Sequence, residues 1–346
     1  MLAYWLMFLA PAAAVFQREH TKRGQAWMAW VAVGAVFSVL MGFRDRVGGD
    51  WFNYLPMFLN TGAMTFTEAL SSGDPGYSML NWVVHRLGGS MYGVNLFCAA
   101  VLIWGTVVFC RRQPNPWLAL LVAVPYMLIV VGMGYTRQGV ALGFALLGLT
   151  ALGNGQVRKF VIWIAIGALF HKSAVLLMPI AALAASRNRM LTIGLVLLTT
   201  AMAYYLLLQD SAEDLWASYV VSDMQSQGGM IRVAMNTLPA LILFAFGRRL
   251  EPDDAQRKLW LWISAFALAC VPLVSLASTA VDRVALYLIP LQMFVFVRLP
   301  RLATAKQIRT ILVLSVMMYY AVVQYVWLNY ATHAKYWVPY QFVPLT

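Results

Sequence analysis

Long apolar runs separated by short charged clusters fill this chain, and their lengths predict helices that cross a membrane. A first run covers 1–16, and others cover 26–43, 91–110, 117–134, 138–153, 160–186, 190–208, 231–246, 259–276, 284–297 and 311–328. Most approach the roughly 20 residues that span a bilayer core. Hydrocarbon offers no partner to an open strand edge, so runs of this length are expected to be helices. The predicted fold class is therefore all-α, a polytopic transmembrane helical bundle of about 11–12 helices, with residues 1–346 forming a single integral membrane domain.

The basic clusters give the runs a direction. Arg18/Lys22/Arg23, Arg111/Arg112, Arg158/Lys159, Arg187/Arg189, Arg248/Arg249/Arg257/Lys258 and Arg298/Arg301/Lys306/Arg309 hold 17 of the 25 Lys and Arg. The positive-inside rule places all of them in the cytoplasm, with the amino terminus outside. Single crossings then alternate correctly except over 160–186, where both flanks carry inside signals. A short-armed hairpin resolves the conflict, turning at Phe170-His171-Lys172-Ser173. Its arms, about 11 and 13 residues long, are each shorter than the hydrocarbon thickness, which puts His171 at the floor of a cavity open to the outside. Segment 44–90 is expected to be an outer segment with short interfacial helices, and 209–230 an outer loop. Nine of the 13 acids fall outside in this arrangement.

Composition removes the soluble alternatives. Of 346 residues, 62% are apolar and 11% charged, which excludes a soluble enzyme or a disordered chain. A net charge of +12 would suggest nucleic acid in a soluble protein. Here the cations sit between apolar runs as topology signals, so no nucleic-acid partner is expected. The three cysteines lack disulfide or zinc spacing. No carboxylate cluster, GxxxxGK[ST] or GxSxG occurs, and neither metal nor cofactor is expected.

Candidate chemistry lies among the eight basic residues left outside. Arg137, Arg232 and Arg283 each fall in or beside the first turn of a helix running inward from the outer face. A cation there opposes the helix dipole, and one such residue would read as a headgroup anchor or the partner of an acid. Three in the same placement point to a shared anion, and helix starts combined with Arg forks suit phosphate groups. His171, the one histidine within an apolar run, has a side chain suited to accepting a hydroxyl proton near neutrality. Asp50 follows a Gly-Gly turn that admits either a ligand or a simple reversal of the chain. Asp282 reads as part of a capping box begun by Thr279, with a site carboxylate as the other reading. The glycines at 132, 134, 139, 143 and 148 read as a close-packing stripe.

Seven segments together carry a resemblance. They are RDRVGGDWFNY at 44–54, DPGYSMLN at 74–81, TRQGVALGFALL at 136–147, FHKSAVLLMP at 170–179, GGMIRVAMNTLPA at 228–240, STAVDRVALYLIP at 278–290 and YWVPYQ at 336–341. In this order the chain resembles the Wzy/EpsG-type polysaccharide polymerases. The resemblance implies a GT-C-like glycosyltransferase of the bacterial inner membrane. Such an enzyme would join oligosaccharide repeat units carried on undecaprenyl diphosphate at the periplasmic face, without metal. Positions matching the family's motif residues are Arg44, Arg46, Asp50, Arg137, His171, Arg232, Asp282 and Arg283. The expected roles are diphosphate binding by Arg137, Arg232 and Arg283 with Arg44 and Arg46, and proton transfer by His171, Asp50 or Asp282. Implied partners are the lipid-linked glycan, the bilayer, and a chain-length regulator and flippase of the same pathway. Other readings are a ligase-type transferase, a lipid-linked oligosaccharide transporter and a membrane glycan acyltransferase. A transporter would spread its polar groups along the crossing path.

Overall fold

The computed structural model describes residues 1–17, 23–185, 228–276 and 278–345, with isolated positions at Met190, Gly194, Leu197, Leu198 and Ala201. Among these residues the fold is all-helical, with 15 helices and no sheet. Apart from those positions, the predicted run 190–208, together with Arg18 and Lys22, the Arg187/Arg189 cluster, and residues 209–227 of the expected outer loop, lies outside the described set.

The first helices are α1 (Leu2–Ala14), α2 (Arg23–Gly42), α3 (Trp51–Ala63), α4 (Phe66–Ser71), α5 (Pro75–Arg86) and α6 (Met91–Cys110). They are followed by α7 (Pro116–Gly134), α8 (Thr136–Gly153), α9 (Val157–Phe170) and α10 (Met178–Ala185). Beyond these come α11 (Gly229–Leu250), α12 (Asp254–Leu273), α13 (Ser278–Tyr287), α14 (Pro290–Phe296) and α15 (Lys306–Tyr330). Four of them, α6, α7, α11 and α15, are long and apolar enough to cross a bilayer, and the bent pair α13 and α14 makes a fifth candidate. This is a multi-pass membrane protein.

Two of the expected runs are remodelled by proline or interrupted. Run 284–297 is not one straight helix: α13 and α14 meet at a 48° bend. Pro290 has no N–H to give and its ring crowds the preceding turn, so the helix breaks there. Run 160–186 is interrupted at the expected place, with α9 ending at Phe170, His171 outside any helix, and a 3₁₀ turn over Lys172–Leu177 leading into α10. In α7, Pro125 lies within a π-helical stretch, Val124–Val131, the usual accommodation of a missing backbone donor inside a buried helix.

The chain divides into two compact units. One comprises Met1–Leu146, Leu169–His171 and Ser315–Thr346, the other Leu147–Ala168 and Lys172–Leu314. In the first, α2 packs along α6, α3 and α4 pack on α5, and α7 is almost entirely buried against α1 and α6. The glycine stripe brings helices together: a Cβ on Gly143 would stand 2.7 Å from the Leu102 backbone, and one on Gly105 only 2.1 Å from the Gly143 carbonyl. In the second unit, α11 and α12 run along each other, α10 packs on α12, and α11 also meets α13 and α14.

Residues 336–343 close over the loop after α2. Asp45 N–H donates to the Gln341 carbonyl (3.0 Å), Gly48 N–H to Tyr336 (2.9 Å) and Val343 N–H to Phe43 (3.0 Å). Trp337 anchors this arrangement, 1% exposed, its indole N–H on the Ile129 carbonyl at 2.9 Å. Gly48 adopts φ +110°, and a side chain there would strike the Met133 carbonyl at 2.1 Å, so the position admits glycine alone.

Candidate functional site

Within the first unit, a buried polar cluster forms where the loop after α2, the start of α8, and helices α3 and α5 meet. Arg44 is its deepest member, at 1% exposure. Its Nε donates to the Val47 carbonyl (3.1 Å), one terminal nitrogen to the Met41 carbonyl, and the other to Thr136 Oγ1 (2.7 Å). All these acceptors are neutral, and burial lowers the guanidinium from its usual value. Arg46 is the opposite case: its side chain is 68% exposed, its backbone is left-handed at φ 51°, and its Nε lies 3.9 Å from Asp45. The Asp45 carboxylate accepts from the Tyr92 hydroxyl at 2.8 Å.

Arg137 is the second residue of α8, in the first turn as expected. One terminal nitrogen bonds Asp74 Oδ2 at 2.9 Å, and its guanidinium lies 6.0 Å from the Tyr54 ring centroid. Its Nε is buried without a hydrogen-bond partner. Asp74 stands at the N-cap of α5 but makes no capping bond with its side chain. Its carboxylate accepts from Arg137 instead. Tyr54 and Tyr77 complete the cluster with ring centroids 5.7 Å apart. Burial first, then the Asp50 charge, pushes the Tyr54 phenol up to about 12, with Arg137 opposing. Asp50 itself is the N-cap residue of α3.

His171 belongs to this unit and is half-buried at the break after α9. The preceding Phe170 fixes that break by packing on Phe97 and Phe144, with centroids 6.4 and 5.7 Å away.

The second unit holds Arg232, Asp282 and Arg283. Arg232 is the fourth residue of α11, and its Nε and one terminal nitrogen grip both oxygens of Asp282 in a fork. Both side chains are about nine-tenths buried. Around the same helices, Asn236 donates to the Ala285 carbonyl (2.8 Å) and accepts from Gln292 Nε2 (2.7 Å). Arg283 is exposed and lies one turn deeper than expected, because α13 begins at Ser278. For the same reason Thr279 is inside the helix, and the capping-box reading of Asp282 gives way to the Arg232 pair.

The structure thus brings Arg44 and Arg137 into one cluster and Arg232 and Asp282 into another. Asp74, Tyr54, Tyr77 and Thr136 lie in the motif segments, but the sequence assigned them no site role. Asp74-Pro75 reads as an ordinary helix start, and no local signal links Asp74 to Arg137, 63 residues on. Among the described residues no three His, Cys, Asp or Glu come together as a metal-holding group.

Comparison with curated proteins and with solved structures finds no match. A family match, by contrast, runs over residues 27–342, nearly the whole chain and every motif segment named above. The protein therefore belongs to the EpsG family, membrane proteins linked to exopolysaccharide biosynthesis.

Proposed function

We propose that this protein is a polysaccharide polymerase that joins oligosaccharide repeat units carried on undecaprenyl diphosphate, at the periplasmic face of the bacterial inner membrane. The observation that carries the reading is Arg137. It is a guanidinium at a helix start, oriented by Asp74 through one nitrogen while its Nε has no hydrogen-bond partner. Such a group stabilises negative charge developing on a leaving diphosphate.

The chemistry needs a good leaving group and a positioned nucleophile. The acceptor sugar hydroxyl attacks the anomeric carbon of the donor, a new C–O bond forms, and the bond to the diphosphate breaks. The hydroxyl proton passes to His171 or, failing that, to Asp50. Undecaprenyl diphosphate departs with the bonding electron pair, and no nucleotide sugar enters. A single displacement inverts the anomeric centre. Arg232 and Arg283 are the further cations for which a diphosphate role is proposed, with Asp282 fixing the orientation of Arg232.

The test is incubation of purified protein with undecaprenyl-diphosphate repeat units, followed by gel analysis of the glycolipids. A ladder is expected from the wild type, none from Arg137→Ala, and a strongly reduced one from His171→Asn. A single unchanged band from the wild type overturns the proposal. A wild-type ladder from His171→Asn removes that residue as the base.

A further inference from the structure

We infer that the second unit carries a binding site for an anionic phospholipid in the groove between the end of α11 and the start of α12. Helix α11 has 22 residues. At 1.5 Å per residue it is about 33 Å long, slightly more than a hydrocarbon core, so its ends reach the headgroup layers. Arg248 and Arg249 occupy its last turn. The groove beside them, about 650 Å³, is lined by Leu243, Phe244, Phe246 and by Arg248, Arg249 and Arg257. The order along α11 is apolar first and cationic last, the same order as acyl chain and headgroup in a lipid.

Local charge leaves two of these cations for a ligand. Arg257 is tied to Asp254 and donates to the Glu251 and Pro252 carbonyls at 2.9 and 3.2 Å. The Glu251 carboxylate is taken by Arg298 at 3.0 Å, and Asp253 accepts from the first N–H groups of α12. Arg248 and Arg249 are exposed and make no ion pair or side-chain hydrogen bond among the described residues. The helix dipole explains why cations are tolerated at a C-terminus. It does not explain an adjoining apolar trough in which Phe244 is 50% and Phe246 44% exposed. A phosphodiester headgroup with its chains along Phe244 satisfies both halves of the groove.

The experiment is native mass spectrometry of the full chain released from micelles containing phosphatidylglycerol or phosphatidylcholine. The wild type should retain phosphatidylglycerol in preference, and Arg248→Gln with Arg249→Gln should reduce that preference on the order of tenfold, with phosphatidylcholine retention unchanged. The double lysine variant keeps the charges and should keep most of the preference, which separates lost binding from lost fold. Equal retention of the two lipids by the wild type, or an unchanged preference in the glutamine variant, overturns the inference. Full displacement of phosphatidylglycerol by millimolar inorganic phosphate also overturns it, since the groove would then hold an anion without its chains.

Discussion

Arg44 donates to Thr136 Oγ1 at 2.7 Å, so the loop after α2 is tied to the first residue of α8, next to Arg137. The guanidinium that sequence reasoning assigned to the diphosphate is engaged with Met41, Val47 and Thr136. Arg44→Ala leaves those buried acceptors unsatisfied and should cost about 2–4 kcal/mol, read as a lowered thermal midpoint in detergent. Thr136→Val removes one acceptor and should cost about 1–3 kcal/mol. An unchanged midpoint in both would show that the contact contributes nothing to the fold.

The Asp74–Arg137 pair leads to a different outcome. Asp74→Asn retains a short polar side chain but not the charge that orients Arg137. Membrane levels should persist while ladder formation falls about ten- to hundredfold, because under the proposed function a misplaced Arg137 costs rate rather than fold. Time courses at several donor-lipid concentrations would check this, and wild-type rates throughout would remove Asp74 from the site.

Arg232 and Asp282 form the buried fork of the second unit. Removing one partner strands the other, so Asp282→Asn should destabilise by about 3–5 kcal/mol. Replacing both, as Arg232→Met with Asp282→Leu, should recover most of that stability without recovering ladder formation. A double-mutant cycle in thermal unfolding gives the coupling energy, and additive single effects would contradict the pairing.

The capping box of α4 gives a pH-dependent prediction. Glu68 accepts from Thr65 N–H at 2.8 Å, and its carboxyl is held below the usual range by that bond and by the Thr65 hydroxyl. A depressed folded value means the contribution is present above the unfolded value, about 4.3, and is lost as pH falls through the lower folded one. Exchange of the Thr65 amide should therefore speed up below about pH 4 beyond its intrinsic pH dependence. Glu68→Gln should abolish that extra acceleration, and an identical profile in both proteins would refute the linkage.

Much of the helical order was legible in the sequence because a membrane span needs both length and apolarity, two properties a linear pattern displays. The interruption at His171 was legible from charge, since basic flanks on both sides of one run required a break. The Arg232–Asp282 fork was not, because its partners are 50 residues apart and no periodic signal links them. The surroundings of Arg44 were not legible for a related reason. In Arg44-Asp45-Arg46 nothing in the string shows that two carbonyls and a hydroxyl surround Arg44 while Arg46 remains exposed. The glycine stripe was read correctly as packing, since repeated loss of side chains on one helix has few other causes in a membrane.

The union of residues 336–343 with the loop at 43–48 bears on biogenesis. That loop is made well before its backbone partners, which follow only after the intervening helices. The turn bearing Arg44 and leading to Asp50 thus stays unlatched through insertion of the intervening helices, and clipping the chain ahead of Trp337 would leave an inserted protein that never locks.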